Sequence, residues 1–155
     1  MEALWTTAVA VAGTLLGSLM TYVLQRRVAV RGEAFARSEA LRRERMTTYS
    51  TFAEAVEDYR HGQAERWYSG QEDPGGEAYI AARDEAHRRR TAARQALYRV
   101  RLLTDDPRVN AAAERAYACT WEISNARDQS GRDARDAEAR RAIEEFVTRA
   151  APLVR

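Results

Sequence analysis

The residues of this chain that could do chemistry are few. His61 and His87 are its only histidines and Cys119 its only cysteine. No cysteine or carboxylate cluster stands at metal-ligand spacing beside either histidine, and a zinc site needs three or four such ligands. The phosphate-cradling pattern G-x-x-x-x-G-K-[ST], the dinucleotide pattern G-x-G-x-x-G and the nucleophile elbow G-x-S-x-G are all missing. Asp and Glu stand mostly three or four residues from an Arg, the spacing of exposed ion pairs on a helix. The expectation is therefore a chain with no catalytic residue, no metal and no cofactor. Cys119 falls among Ala112, Ala116 and Ile123 at helical spacing, which reads as a buried, inert thiol, and a lone cysteine forms no intrachain disulfide.

One constellation does suggest binding. Arg83, His87, Arg88, Arg89, Arg90, Arg94, Arg99 and Arg101 crowd one predicted helix against only Glu77, Asp84 and Glu85. Clustered cations of this kind suit nucleic-acid phosphates. However, three consecutive helical residues spread over about 200°, so Arg88, Arg89 and Arg90 cannot all meet one neighbour. No aromatic residue interleaves with them to stack single-stranded bases. The favoured expectation is a solvated face paired to acids of the last helices, such as Asp133, Asp136, Glu138, Glu144 and Glu145. Nucleic-acid contact through Arg88, Arg89 and Arg90 is the alternative.

The elements that carry these residues begin with an apolar run. Residues 4–24, LWTTAVAVAGTLLGSLMTYVL, contain no charge and are followed at once by Gln25-Arg26-Arg27. About 20 apolar residues span a bilayer core as a helix. Trp5 and Tyr22 sit at the two ends, where amphipathic rings settle at headgroup depth, with Arg26 and Arg27 as charged anchors just beyond. Gly13 and Gly17 form a GxxxG, a face on which two membrane helices can approach closely. The leader Met1-Glu2-Ala3 lacks the basic n-region of a signal peptide. Basic residues stay on the cytoplasmic side, so the N-terminus is expected outside and the rest of the chain in the cytoplasm. All 25 basic residues are Arg. Residues 26–45 hold seven Arg against three Glu, a net of +4 that an anionic leaflet would attract.

Beyond the anchor the chain punctuates into helices, with no strand-like alternation. The first is predicted to run on to about Ser69 with an apolar stripe at Phe35, Leu41, Tyr49, Phe52, Val56, Tyr59, Gln63 and Trp67, interrupted only by Gly32. Asp73-Pro74-Gly75-Gly76 is a turn. A second helix, about Glu77 to Leu103, turns Tyr79, Ala82, Ala86, Ala93, Leu97 and Val100 inward. Asp105 or Asp106 caps a third beginning at Pro107 and carrying Val109, Ala112, Ala116, Cys119, Ile123 and Ala126. Ser130-Gly131 either breaks it or marks a weak point, and a last helix from about Arg132 to Ala150 presents Ala139, Ile143, Phe146 and Ala150. The fold class is thus all-α: a single transmembrane helix (residues 1–25) continuing through a basic juxtamembrane helix (26–45) into an antiparallel cytoplasmic helical bundle (46–155).

The combination of a short N-terminal anchor, an Arg pair behind it and the stretch EALRRERMTTYSTFAEAVEDYR in a Lys-free, Ala/Arg-rich chain resembles the small KilB-like proteins of actinobacteria. The resemblance covers most of the chain and implies an association with conjugative plasmids and their spread. It transfers no catalytic residue. The expected role is self-association and partner tethering at the inner membrane face, with membrane lipid, further copies of the chain and other membrane-complex proteins as partners. A DNA-contacting accessory subunit of a plasmid-transfer apparatus is the alternative.

Overall fold

The computed structural model describes the backbone of residues 2–155; before residue 35 it describes side chains only at 20–22, 26 and 33. Its elements are α1 (Glu2–Glu72), α2 (Glu77–Leu103), α3 (Pro107–Trp121) and α4 (Gln129–Ala150), with single 3-10 turns at Ile123–Asn125 and Ala151–Leu153. No strand occurs among the described residues, so the chain is all-helical. It divides into two compact units, Met1–Leu41 and Arg42–Arg155.

In the first unit the backbone stays helical through Gly32. Tyr22 and Arg26 are exposed, and Arg37 pairs with Glu33 one turn earlier at 3.3 Å. Phe35 and Leu41, expected on the buried stripe, are 68% and 40% exposed. Helical periodicity marks a face, but burial requires an element opposite it. Among the described residues no helix is long and apolar enough to cross a membrane. The expected span, and with it the assignments to Trp5, Gly13, Gly17 and Arg27, lies outside the described side chains.

The second unit is a bundle of antiparallel neighbours, as pairs of contacts show. Along α1, Phe52 meets Phe146 of α4 and Arg60 meets the earlier Asp136. Gly62 lies against Ala86 of α2, and Gly70 against the earlier Tyr79. Arg101 of α2 pairs with Glu114 of α3, while Arg90 reaches the later Tyr117. The core is Ala-rich with a few large side chains: Tyr49, Phe52, Val56 and Tyr59 of α1, Leu97 and Val100 of α2, Val109 of α3, and Ile143 and Phe146 of α4. Phe146 stands edge-on to Phe52 at 4.7 Å and to Tyr49 at 6.0 Å. Such pairs contribute about 0.5–1.5 kcal/mol each beyond the area they bury. Gly62 permits the close approach of α1 and α2, since a Cβ there would lie 3.0 Å from Arg89 Cδ and 3.4 Å from Ala86 Cα.

The helix ends follow local chemistry. Asp106 caps α3 by accepting from Arg108 N at 2.9 Å, with Pro107 in the first turn. The position of the last break differs from the sequence expectation. α3 ends at Trp121 and the turn occupies the residues up to Asp128, whereas Ser130 and Gly131 lie inside the first turn of α4. The reason is the Asp128 cap, whose carboxylate accepts from Gly131 N at 2.7 Å. A good N-cap contributes about 0.5–2 kcal/mol, enough to offset the roughly 1 kcal/mol that a glycine costs a helix.

A polar layer crosses the apolar core. Arg60, 6% exposed, donates from Nη1 to Asp136 Oδ1 at 2.5 Å and grips Glu57 with Nε and Nη2. Asp136 also accepts from Arg140 at 3.3 Å. Asp136→Ala leaves a buried guanidinium with only Glu57, and we expect a loss of about 3 kcal/mol in chemical denaturation. Arg60→Met with Asp136→Leu removes both charges and should recover most of that loss. A drop well under about 1 kcal/mol for Asp136→Ala would show that the pair does not hold α4 to α1.

Arg60 also sets a pH dependence. Its hydrogen bonds to Glu57 hold that carboxyl below its ordinary 4.5. A carboxylate with a depressed pKa adds stability above its unfolded value and loses it as pH falls through the folded value. Stability should therefore decline below about pH 4.5, and Glu57→Gln should flatten that part of the profile. An unchanged acid limb in the Glu57→Gln variant would exclude this contribution.

Candidate functional site

The surface singled out by sequence is the basic side of α2. The structure divides its three consecutive arginines. Arg88 lies on the outer surface and pairs with Glu85 at 2.5 Å. Arg89 takes the other oxygen of Glu85 at 2.8 Å and reaches Glu65 of α1 at 3.5 Å. Arg90 turns toward α3: its guanidinium carbon lies 4.0 Å from the Trp121 ring centroid, and its Nε donates to the Tyr117 hydroxyl at 3.3 Å. The expected partners on the last helices are therefore corrected. The acids nearest in sequence and on α1 reach the arginines first, because Glu85 stands at i−3 and i−4 and α1 packs alongside. Asp136 pairs with Arg60 and Arg140 instead. Glu138 and Glu145 pair with Arg115, and Asp133 with Arg132.

These pairs lower the pKa of Glu85 through hydrogen bonds from Arg88 and Arg89. On an exposed surface such pairs contribute little net stability, because water and salt screen them. Their consequence is directional. Arg88 and Arg89 converge on one carboxylate while Arg90 turns toward α3, so the three cations do not form one array.

Deeper residues hold the end of the bundle in place. Gln63, 1% exposed, donates from Nε2 to the Trp121 carbonyl at 3.1 Å and to Ser124 Oγ at 3.0 Å. Trp67 Nε1 donates to the Ala126 carbonyl at 2.9 Å. Gln63 satisfies the last carbonyl of α3 and Trp67 a carbonyl of the segment that follows, groups that the helical ladder leaves without a partner. Arg132 covers this corner, 4.7 Å from the Tyr68 ring and hydrogen-bonded to its hydroxyl. Sequence reasoning placed Gln63 and Trp67 on the apolar stripe by spacing but had no signal for these polar partners.

The histidines do not come together. His61 lies beside Arg60, with Nε2 3.2 Å from Nη2, while His87 is on the exposed side of α2. Among the described residues no group of three or more His, Cys, Asp or Glu is placed to hold a metal. Cys119 is half-buried and packs on the edge of the core rather than within it. Burial is the main cause that pushes its thiol pKa up. A concavity of about 540 Å³ opens between α1 and α4, walled by Met46, Tyr49, Phe146 and Val147.

The second unit is thus an antiparallel helical bundle bound by an aromatic seam and a buried ion network. The family model for the KilB plasmid transfer protein matches residues 46–154. The chain belongs to that family. Neither the curated proteins nor the solved structures contain a match.

Because the thiolate is the reacting species, Cys119 should react with iodoacetamide at pH 8 several-fold more slowly in the native protein than in denaturant. Equal rates in the two states would show an exposed, ordinary thiol.

Proposed function

We propose that this chain is a non-catalytic accessory protein of plasmid transfer, a single-pass membrane protein whose bundle faces the cytoplasm and acts by self-association and by holding partners at the inner membrane face. The observation that carries this reading is the extent of the family match. Residues 46–154 coincide with the bundle and its whole described core, so the family trait resides in the packed helices. The anchor is supported by the uncharged run of residues 4–24 followed by Arg26 and Arg27. Self-association is supported by the spacing of Gly13 and Gly17. DNA contact through Arg88, Arg89 and Arg90 as a set stands second, because Arg90 turns toward Trp121 and Tyr117 while Arg88 and Arg89 already share Glu85.

Deleting this gene from a conjugative plasmid that carries it should lower transfer or spread by about tenfold or more. The full chain should restore it, and residues 26–155 alone should not. Gly13→Leu with Gly17→Leu should lower complementation without lowering the amount of protein in the membrane fraction. Undiminished transfer by the deletant would refute the role, and full rescue by residues 26–155 would refute the need for an anchor.

A further inference from the structure

Where α1 and α2 face the end of α3, a pocket of about 270 Å³ is lined by Gln63 and Arg66 of α1, by Arg83, His87 and Arg90 of α2, and by Trp121. The three α2 residues stand at i, i+4 and i+7, one stripe of the helix. Asp84 is the one carboxylate in the lining, so three guanidiniums against it leave a net of +2. That carboxylate is already engaged, accepting from Arg83 Nε and Nη2 at 3.2 and 3.1 Å. Arg66 and Arg90 have no carboxylate partner among the described residues.

Arg90 is also held in place. Trp121 covers one face of its guanidinium and Tyr117 takes its Nε, while its terminal nitrogens make no hydrogen bond among the described residues. A cation fixed before binding loses less rotamer freedom when a ligand arrives. The backbone beneath it is fixed too, because buried Gln63 ties down the Trp121 carbonyl.

We propose that this pocket is a phosphate-binding site. Guanidiniums supplied by two helices suit an anion whose oxygens point in several directions, and their forked N–H groups match phosphate oxygens. A planar carboxylate would satisfy one fork and leave the others unused. The volume lies just under the range of pockets for drug-sized ligands, so it holds a phosphate group with room for part of what carries it. Inorganic phosphate and the phosphate of a nucleotide share this chemistry. The site does not depend on the plasmid-transfer role and can stand or fall separately.

The test is calorimetric titration of the full-length protein in detergent with inorganic phosphate, a mononucleotide, a single-stranded oligonucleotide and acetate. Phosphate-bearing probes should bind and acetate should neither bind nor compete. Preference for inorganic phosphate would identify a free anion as the source, and preference for the mononucleotide or oligonucleotide would identify a nucleotide phosphate. Arg66→Gln and, separately, Arg90→Gln should each weaken binding about tenfold or more, the loss expected from one charge-assisted hydrogen bond. Arg88→Gln with Arg94→Gln removes two cations of the same helix outside the pocket and should change affinity less than about twofold, as expected of screened surface charge. Thermal melts identify any variant that misfolds, and Arg66, free of the Trp121 stack, keeps the test decisive if Arg90→Gln does. Absence of binding by every phosphate probe, competition by acetate, or equal losses in the pocket and control variants would overturn the site.

Discussion

Everything in the bundle depends on the burial of one face of α1 from Tyr49 to Trp67. Each other element takes its place from a residue on that face. Tyr49 and Phe52 receive Phe146 of α4, and Tyr59 faces Tyr117 of α3 with ring centroids 5.8 Å apart. Gly62 lets α2 approach to backbone distance, and Gln63 and Trp67 close the end by meeting carbonyls after α3. The remaining core is largely alanine, which packs closely but buries little area per residue. The few large side chains of α1 therefore supply much of the apolar burial that offsets chain entropy.

The same face carries the feature least suited to an apolar core. Arg60 is buried with Asp136, and two charges withdrawn from water gain little net stability even when well paired. Their effect is better understood as registry. A guanidinium that must meet one carboxylate favours one alignment of α4 along α1, the same one that seats Phe146 between Tyr49 and Phe52. Tyr59 lies one residue away and its hydroxyl is buried without a hydrogen-bond partner. Burial raises its pKa, so it stays neutral at any physiological pH. The layer thus combines one charged anchor with a ring that contributes packing alone.

The basic composition of α2 has two different outcomes within one helix. Residues whose carboxylate neighbours lie three or four positions earlier form exposed pairs, as Arg88 and Arg89 do with Glu85. Residues on the stripe facing α3 instead meet aromatic rings and a concave wall. A count of charges does not separate these outcomes, because the formal balance is the same wherever each side chain points. Helix phase separates them.

Much of the architecture was legible along the chain because it rests on local chemistry. α2 runs from Glu77 to Leu103 as the turn residues before it and Thr104-Asp105-Asp106-Pro107 after it imply, and the spacing of Phe52, Val56, Tyr59, Ala93, Val100 and Phe146 identified core positions. The resemblance to KilB-like proteins was carried by composition and the α1 stretch, and the family match agrees with it. The break before α4 and the pairing of Arg88 and Arg89 with Glu85 also rest on local contacts, but each was one of several local options that the chain offered. Tertiary structure decided the rest. The partner of Arg60 on α4 and that of Arg89 on α1 depended on which carboxylates packing brought within reach. Phe35 and Leu41 satisfied the periodicity of α1 yet remain exposed. The physical reason is common to the buried ion pair and to the exposure of Phe35 and Leu41. Helix formation and phase are set by residues within a few positions of one another, whereas burial, ion pairing and concavity require a second segment, whose position a single helix does not encode.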